Sequence, residues 1–313
     1  MLDSQEELDT VSELPPFRQR FKLDSEDSAR ILGFTERQLL KSAAEFHENG
    51  YLVIPGFYSA NEVKVYSDYV DYLWEVRERV PVSVDTIHPG FPNKCLLFKD
   101  VDIQEKSRPY KLNDLFLVDS FTRSLSLSRR LGCLLSFLVE NLVAQCNSLN
   151  FEYGSQQAYH FDTFYMPPPP GGQLIVSSIC LEDVSADAGP LSYWPRSHVY
   201  RPWLNAQGTT HCLTSEDHSL AVRHFSEIAK NKGLSPRTFL GKAGDLFLWH
   251  QQLFHGGLPI RDDRRTRRSL VSHYWSFSSQ DLPSNYVPVN SFSGFLSRKP
   301  KSVWTPSHEH VDG

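Results

Sequence analysis

The sequence contains no run of eighteen apolar residues, so no membrane-spanning helix is expected. It contains no Cys-x-x-Cys pair. Its five cysteines, Cys95, Cys133, Cys146, Cys180 and Cys212, are scattered and odd in number. That pattern suits buried thiols in a reducing cytosol better than a disulfide framework. No basic stripe interleaves with aromatics, and 37 acidic residues outweigh 32 basic ones for a net charge of −5. Nucleic acid is therefore not an expected partner. The first thirty residues are polar and acidic, without the apolar segment of a secretory leader, which leaves a cytoplasmic location as the expectation. No internal repeat is found.

What remains is an ordinary globular composition. With 313 residues and 40% hydrophobic content, the chain can bury a sizeable core. Residues 1–34 read as a loose or partly ordered acidic arm, and 35–313 as one domain. Thr35 is a helix N-cap and Gly50 a helix stop, predicting a helix from Glu36 to about Glu48. Tyr51 to Ile54 is a short apolar strand. Ser59 with Glu62 three residues on has capping-box spacing and opens a second helix to about Arg79, whose buried face would be Val63, Tyr66, Val70 and Leu73. Residues 80–113 read as irregular. Leucines at 127, 131, 134, 135, 138 and 142 predict a third helix from Ser124 to Ala144. From Ser148 to Ser278 the chain reads mainly as short strands divided by Pro, Gly and Asp. Leading helices and following strands give an α+β fold: a double-stranded β-helix (jelly roll, cupin-like) core buttressed by N-terminal helices. The segment 166–172, Met-Pro-Pro-Pro-Pro-Gly-Gly, is a rigid spacer ending in a hinge.

Three residues carry the chemistry. His160 and Asp162 form a His-x-Asp triplet, and two-residue spacing on a strand points both side chains the same way. His255 lies ninety-five positions on, after the apolar run Leu246 to Trp249, with Gly256 and Gly257 letting the backbone turn away from a crowded site. Two imidazoles and one carboxylate occupy one face of an octahedral iron(II) and leave the other face open. A lone His-x-Asp is weak evidence, because most histidines pack or face solvent; the context strengthens it.

A second constellation follows. Arg267 and Ser269 would share a strand face, and a guanidinium fork beside a hydroxyl binds a carboxylate. An open iron site near such a clamp is what 2-oxoglutarate requires. Arg264, Arg265 and Arg268 read better as a solvated turn.

In these motifs the chain resembles the phytanoyl-CoA dioxygenase family of iron(II)/2-oxoglutarate oxygenases, over roughly residues 36–278. The phrases that carry the resemblance are the entry from Phe46 to Phe57 followed by Ser59 to Val63, the central signature from Leu181 to Val184, Ala188 to Leu191 and Pro195 to His198, and the second metal strand from Gly244-Asp245 to His255-Gly256-Gly257. The resemblance implies that His160, Asp162 and His255 are catalytic metal ligands and that Arg267 binds 2-oxoglutarate. Phe161 stands where the family often has Trp or Gln. The His-to-Arg gap is one longer than usual, which leaves Arg268 as a rival. Tyr274, seven beyond Arg267, favours Arg267. The implied cofactor is Fe(II), with 2-oxoglutarate and O2 as cosubstrates, and the implied reaction oxidises a substrate while 2-oxoglutarate becomes succinate.

Related halogenases replace the acid with a small residue, so Asp162 argues for hydroxylation, desaturation or ring chemistry instead. Gln157 and Tyr165 flank the metal pair and are candidate cofactor contacts, though ordinary strand positions would explain them equally. His250 reads as packed or indirectly supporting, and His198 and His273 as loop-ordering or substrate-orienting. Trp194, Trp203 and Trp249 read as core. The rival function is a non-catalytic or differently metallated cupin-like binding protein. The completeness of His160, Asp162, His255 and Arg267 speaks for catalysis. The expected partner is a small-molecule substrate chosen by loops 80–113, 163–173 and 199–235.

Overall fold

A computed structural model describes residues 23–86 and 94–300. Residues 1–22 of the expected arm, and Pro89 and Pro92 of the expected irregular stretch, lie outside the described residues. From the arm, α1 (Ser25–Leu32) buries Ala29 and Leu32 and packs on α2 (Glu36–Asn49) and α5 (Arg129–Val139).

The N-terminal helices form where local chemistry satisfies their free amides. Thr35 and Gln38 make a reciprocal capping box on α2, and Ser59 and Glu62 make another on α3 (Ala60–Glu75). Gly50 ends α2 with φ +79°, in the left-handed region glycine occupies at no steric cost. Val63, Tyr66, Val70 and Leu73 are buried as their spacing predicted, and Trp74 joins them. Full burial of each such side chain contributes about 1.5–3 kcal/mol.

The third predicted helix is a correction. The structure has α4 (Ser120–Ser126), then α5 capped by the Ser128 hydroxyl, then Glu140 in a left-handed turn, then strand β5 (Leu142–Phe151). The leucine spacing runs across two helices and a strand, and two residues in special conformations break it. Residues 80–113 are also more ordered than expected. They hold β2 (Ser83–Thr86), β3 (Lys94–Leu97) and β4 (Tyr110–Asn113). One long helix, α6 (Ser215–Lys232), interrupts the strand region. Its Thr214–Asp217 capping box and the buried Ala221, Phe225 and Ala229 at four-residue spacing form a helix signal.

The core is a large sheet facing a small one. Along the large sheet the order begins β1 (Tyr51–Ile54), β9 (Leu246–His250), β6 (Leu174–Cys180), β11 (Ser269–Phe277), β5, and continues through β4, β2 and β3. The small sheet is β10 (Phe254–Gly257), β7 (Leu191–Trp194) and β8 (Arg237–Thr238). Pairing is antiparallel throughout both orders. The helices α1–α3 and α5 cover one side of the large sheet in a continuous apolar cluster that includes Leu39, Tyr66, Trp74, Leu134, Ile175 and Tyr274. The opposite face, with Phe151, Val176, Phe247, Trp249 and Val271, looks towards the small sheet. This is a jelly-roll α+β fold, with the interior between the two sheets available for a site.

Candidate active site

His160 and His255 are joined through their backbones. The His160 amide donates to the His255 carbonyl at 2.8 Å, and the His255 amide donates to the His160 carbonyl at 3.0 Å. The glycines after His255 serve this approach. They lie within β10, and a Cβ on Gly257 would come 2.6 Å from the Gln156 amide nitrogen, so they admit the 155–160 segment. The expected turning away of the chain is thus replaced by close backbone packing.

Each imidazole is oriented in the same way. His160 Nδ1 lies 2.8 Å from the Ala158 carbonyl, and His255 Nδ1 lies 2.9 Å from the Leu253 carbonyl. A carbonyl can only accept, so the proton is assigned to Nδ1 and the Nε2 lone pair is free to ligate. Asp162 opens a short 3-10 turn, Asp162–Phe164, and its Oδ1 sits 3.8 Å from His160 Nε2 and 3.7 Å from His255 Nε2. The three ligand atoms lie within 4.8 Å of one another. Two bonds of about 2.1 Å span at most about 4.2 Å, so one ion can meet such a set with little adjustment. All three residues are buried. Burial, then the nearby His255, pushes the His160 pKa down to about 3, which keeps a neutral ligand. For Asp162, burial opposes ionisation, but His255, His273 and His160 outweigh it and hold the carboxyl below the usual range.

Arg267 and Ser269 line one cavity with Ser178, Cys180, Val271 and Trp249. Arg267 is only 8% exposed, and among the described residues it forms no ion pair. Its Nε and the Ser269 hydroxyl are buried without hydrogen-bond partners. Burial pushes the guanidinium down to about 10, which still leaves it charged at neutral pH. A buried unpaired cation is costly, so this one awaits an anion. Arg268 faces the other way and is already committed. It meets Asp71 at 2.7 Å and Glu152 at 2.8 Å. Asp262 takes Arg264 and Arg265 at the exposed turn, as their solvated reading predicted.

Other expected residues separate into groups. The Tyr165 ring packs edge-on against His160 at 5.3 Å, and the Gln157 side chain lies near Tyr165. Both stand beside the His160–Asp162–His255 cluster, and neither lines the Arg267 cavity. His250 accepts from the Gln252 amide and packs against His198, whose Nε2 lies 2.9 Å from the His47 carbonyl; both are away from the ligands. Two neighbours were underestimated. Trp249 is core, as expected, but its indole N–H also donates to Asp162 Oδ2 at 2.6 Å. His273 Nε2 stands 3.5 Å from Asp162 Oδ1. Parity was the available signal for His273. It continues the alternation 267, 269, 271, 273 on one strand face.

The fold and the site together define a jelly-roll protein with a buried His-Asp-His facial triad beside a buried arginine. The sequence model of phytanoyl-CoA dioxygenase matches residues 46–269, and the chain belongs to that family, whose members use iron(II), 2-oxoglutarate and O2. Among curated protein sequences, none matches. Solved structures share the fold. The α-ketoglutarate-dependent epimerase SnoN from nogalamycin biosynthesis superposes with a TM-score of 0.56 at 17% identity, covering 85% of this chain and 98% of that one. The carbocyclase SnoK from the same biosynthesis gives 0.56 at 17% identity over 75% and 83%. EctD from S. alaskensis, crystallised with 2-oxoglutarate and 5-hydroxyectoine, gives 0.53 at 19% identity over 75% and 74%.

Proposed function

We propose that the protein is an iron(II)- and 2-oxoglutarate-dependent dioxygenase that hydroxylates a small organic molecule. The observation that carries this reading is the pairing of a metal-ready triad, His160, Asp162 and His255, with the unpartnered buried cation of Arg267. When bound, iron(II) with 2-oxoglutarate supplies oxidation by O2, coupled to conversion of 2-oxoglutarate into succinate and CO2.

The chain's own residues do the rest. His160 and His255 turn their Nε2 atoms towards the ion, each ring oriented by its Nδ1 contact with a backbone carbonyl, and Asp162 brings one negative charge. Three protein ligands leave positions for the keto acid and for O2. Arg267 and Ser269 receive the distal carboxylate of 2-oxoglutarate, the guanidinium by charge-assisted bonds and the hydroxyl by a further one. Cys180, Val271 and Trp249 line the same cavity and give it largely apolar walls around the two polar groups. Gln157 and Tyr165, beside His160 at the partly exposed edge of the triad, are placed to touch substrate or cosubstrate. Asp162 keeps a carboxylate where a halide would otherwise bind, which favours hydroxylation, desaturation or ring chemistry.

The range of the neighbours supports a small-molecule substrate. One is titled an epimerase, one a carbocyclase, and one holds 5-hydroxyectoine. A cytoplasmic setting fits the absence of any disulfide among the described residues. Succinate release from 2-oxoglutarate, measured with ferrous iron and ascorbate across candidate substrates, tests the reading. No 2-oxoglutarate consumption with any substrate, and no metal binding, would favour a non-catalytic or differently metallated binding protein.

A further inference from the structure

We propose that Trp249 and His273 are positioning residues that fix the Asp162 carboxylate, one holding each oxygen, so that only Oδ1 faces the metal. The proposal rests on the metal reading given above and extends it to two residues that ligate nothing.

Strand register brings the two side chains into one row. Val176 of β6 pairs with Trp249 of β9 on one side and with His273 of β11 on the other. Residues directly opposite in antiparallel strands project to the same face. Trp249 and His273 therefore flank the fully buried Val176, one strand away on each side, about 10 Å apart across the sheet. Asp162 comes down on this row from the turn that follows His160. Its Oδ2 accepts the Trp249 indole N–H at 2.6 Å, and its Oδ1 faces His273 Nε2 at 3.5 Å. Against β6 the β11 register is unbroken through His273, so the strand holds the imidazole in this row, and the extra residue of the neighbouring irregularity, Cys146, lies on β5.

His273 is not a satisfied core histidine. It is 4% exposed, and its Nδ1 has no hydrogen-bond partner. The charged or polar side chain that its other nitrogen meets is Asp162. Nor is it a fourth ligand of the set, since the group whose ligand atoms all lie within 4.8 Å of one another is His160, Asp162 and His255. Trp249 is likewise bound on both counts. Its ring packs in the apolar cluster with Phe247 and Val271, while its one polar atom is used on Asp162. A carboxylate held at Oδ2 cannot swing to offer both oxygens to an ion. It stays monodentate and leaves the open face clear.

The test is metal binding by the whole chain, read without turnover. Apo-protein is titrated with Mn(II) by calorimetry, with His160→Ala as the control that loses the site. Trp249→Phe keeps the ring and removes the N–H. His273→Leu removes the imidazole, and His273→Gln returns a donor near the Nε2 position. Outer partners of ligands typically cost 10- to 100-fold in metal affinity when lost, so Trp249→Phe and His273→Leu should weaken Mn(II) binding by about that factor. His273→Gln should recover most of the loss, which a packing role alone would not produce. Melting temperatures of the apo-proteins separate lost packing from lost positioning. Should Trp249→Phe fail to fold, the His273→Leu and His273→Gln comparison decides. Binding within about threefold of wild type in the folded variants overturns the proposal while the metal reading stands. A wild type that binds no divalent ion overturns both.

Discussion

Arg267 and Arg268 are adjacent in sequence and opposite in environment: Arg267 enters a cavity with its Nε unpartnered, while Arg268 leaves the barrel to join Asp71 and Glu152. Strand alternation makes the difference, and it yields a crossed prediction. Arg267→Ala should leave the melting temperature near wild type and raise the 2-oxoglutarate requirement by roughly two orders of magnitude or more, since loss of a charge-assisted pair costs several kcal/mol. Arg268→Ala should do the reverse. It leaves the buried Glu152 carboxylate without its cation and should cost about 2–3 kcal/mol of stability, somewhat below the figure for a fully buried pair because Arg268 is partly exposed. Thermal melts and 2-oxoglutarate saturation curves on both variants check it. If Arg268→Ala loses 2-oxoglutarate and Arg267→Ala loses stability, the assignment is off by one residue.

The triad predicts one divalent ion per chain, replaceable because three mixed N and O ligands are weakly selective. His160→Ala and Asp162→Ala should each abolish turnover and metal uptake while the far-ultraviolet dichroism stays that of the native fold. Metal content by plasma spectrometry, measured beside succinate release, decides. A metal-stripped His160→Ala protein with full activity would sink the assignment.

How much of this was legible in the sequence follows from what each signal depends on. His160, Asp162, His255 and Arg267 could be singled out because the proposed chemistry needs particular residue types at particular spacings; the structure brings the first three together and opens a cavity at the fourth. The capped helices α2 and α3 were legible because caps are local. The helix predicted over Ser124 to Ala144 was misread because leucine periodicity alone cannot register Ser128 starting a new helix or Glu140 ending it. The strands β2, β3 and β4 escaped because short strands flanked by prolines carry little periodicity. Trp249 and His273 were read as core and loop residues because their role depends on both pairing with Val176, a long-range register that no local pattern states.

Asp162 makes a prediction about products. With a carboxylate in the third protein position, no site remains for a halide once 2-oxoglutarate and O2 are accommodated. Product masses should be the same with chloride, bromide or sulfate as the salt, and one 2-oxoglutarate should be consumed per oxidation. Asp162→Gly, which opens the position, should lose iron before it gains halide chemistry, because it removes the charge that offsets the ion. A halogenated product from the native protein, detected by mass spectrometry, would contradict the reading.

The histidines at the α2 end of the barrel predict the acid limb of stability. Burial pushes His250 down to about 4, helped by His198 and His47, and burial also lowers His198. His198 donates its Nε2–H to the His47 carbonyl, and Arg196, two residues earlier, adds positive charge that opposes protonation of the ring. The folded protein thus holds both rings neutral, whereas the unfolded chain takes up protons near pH 6.5. Protons bind the unfolded state more strongly, so stability is full above about pH 6.5 and falls as pH drops towards 4. The loss attributable to His250 should be on the order of 1–3 kcal/mol at the acid end. Thermal melts of the apo-protein from pH 7 to pH 4 should therefore fall more steeply for the wild type than for His250→Gln, which cannot take a proton. Parallel slopes for the two proteins would remove His250 from the account and leave the acid limb to other groups.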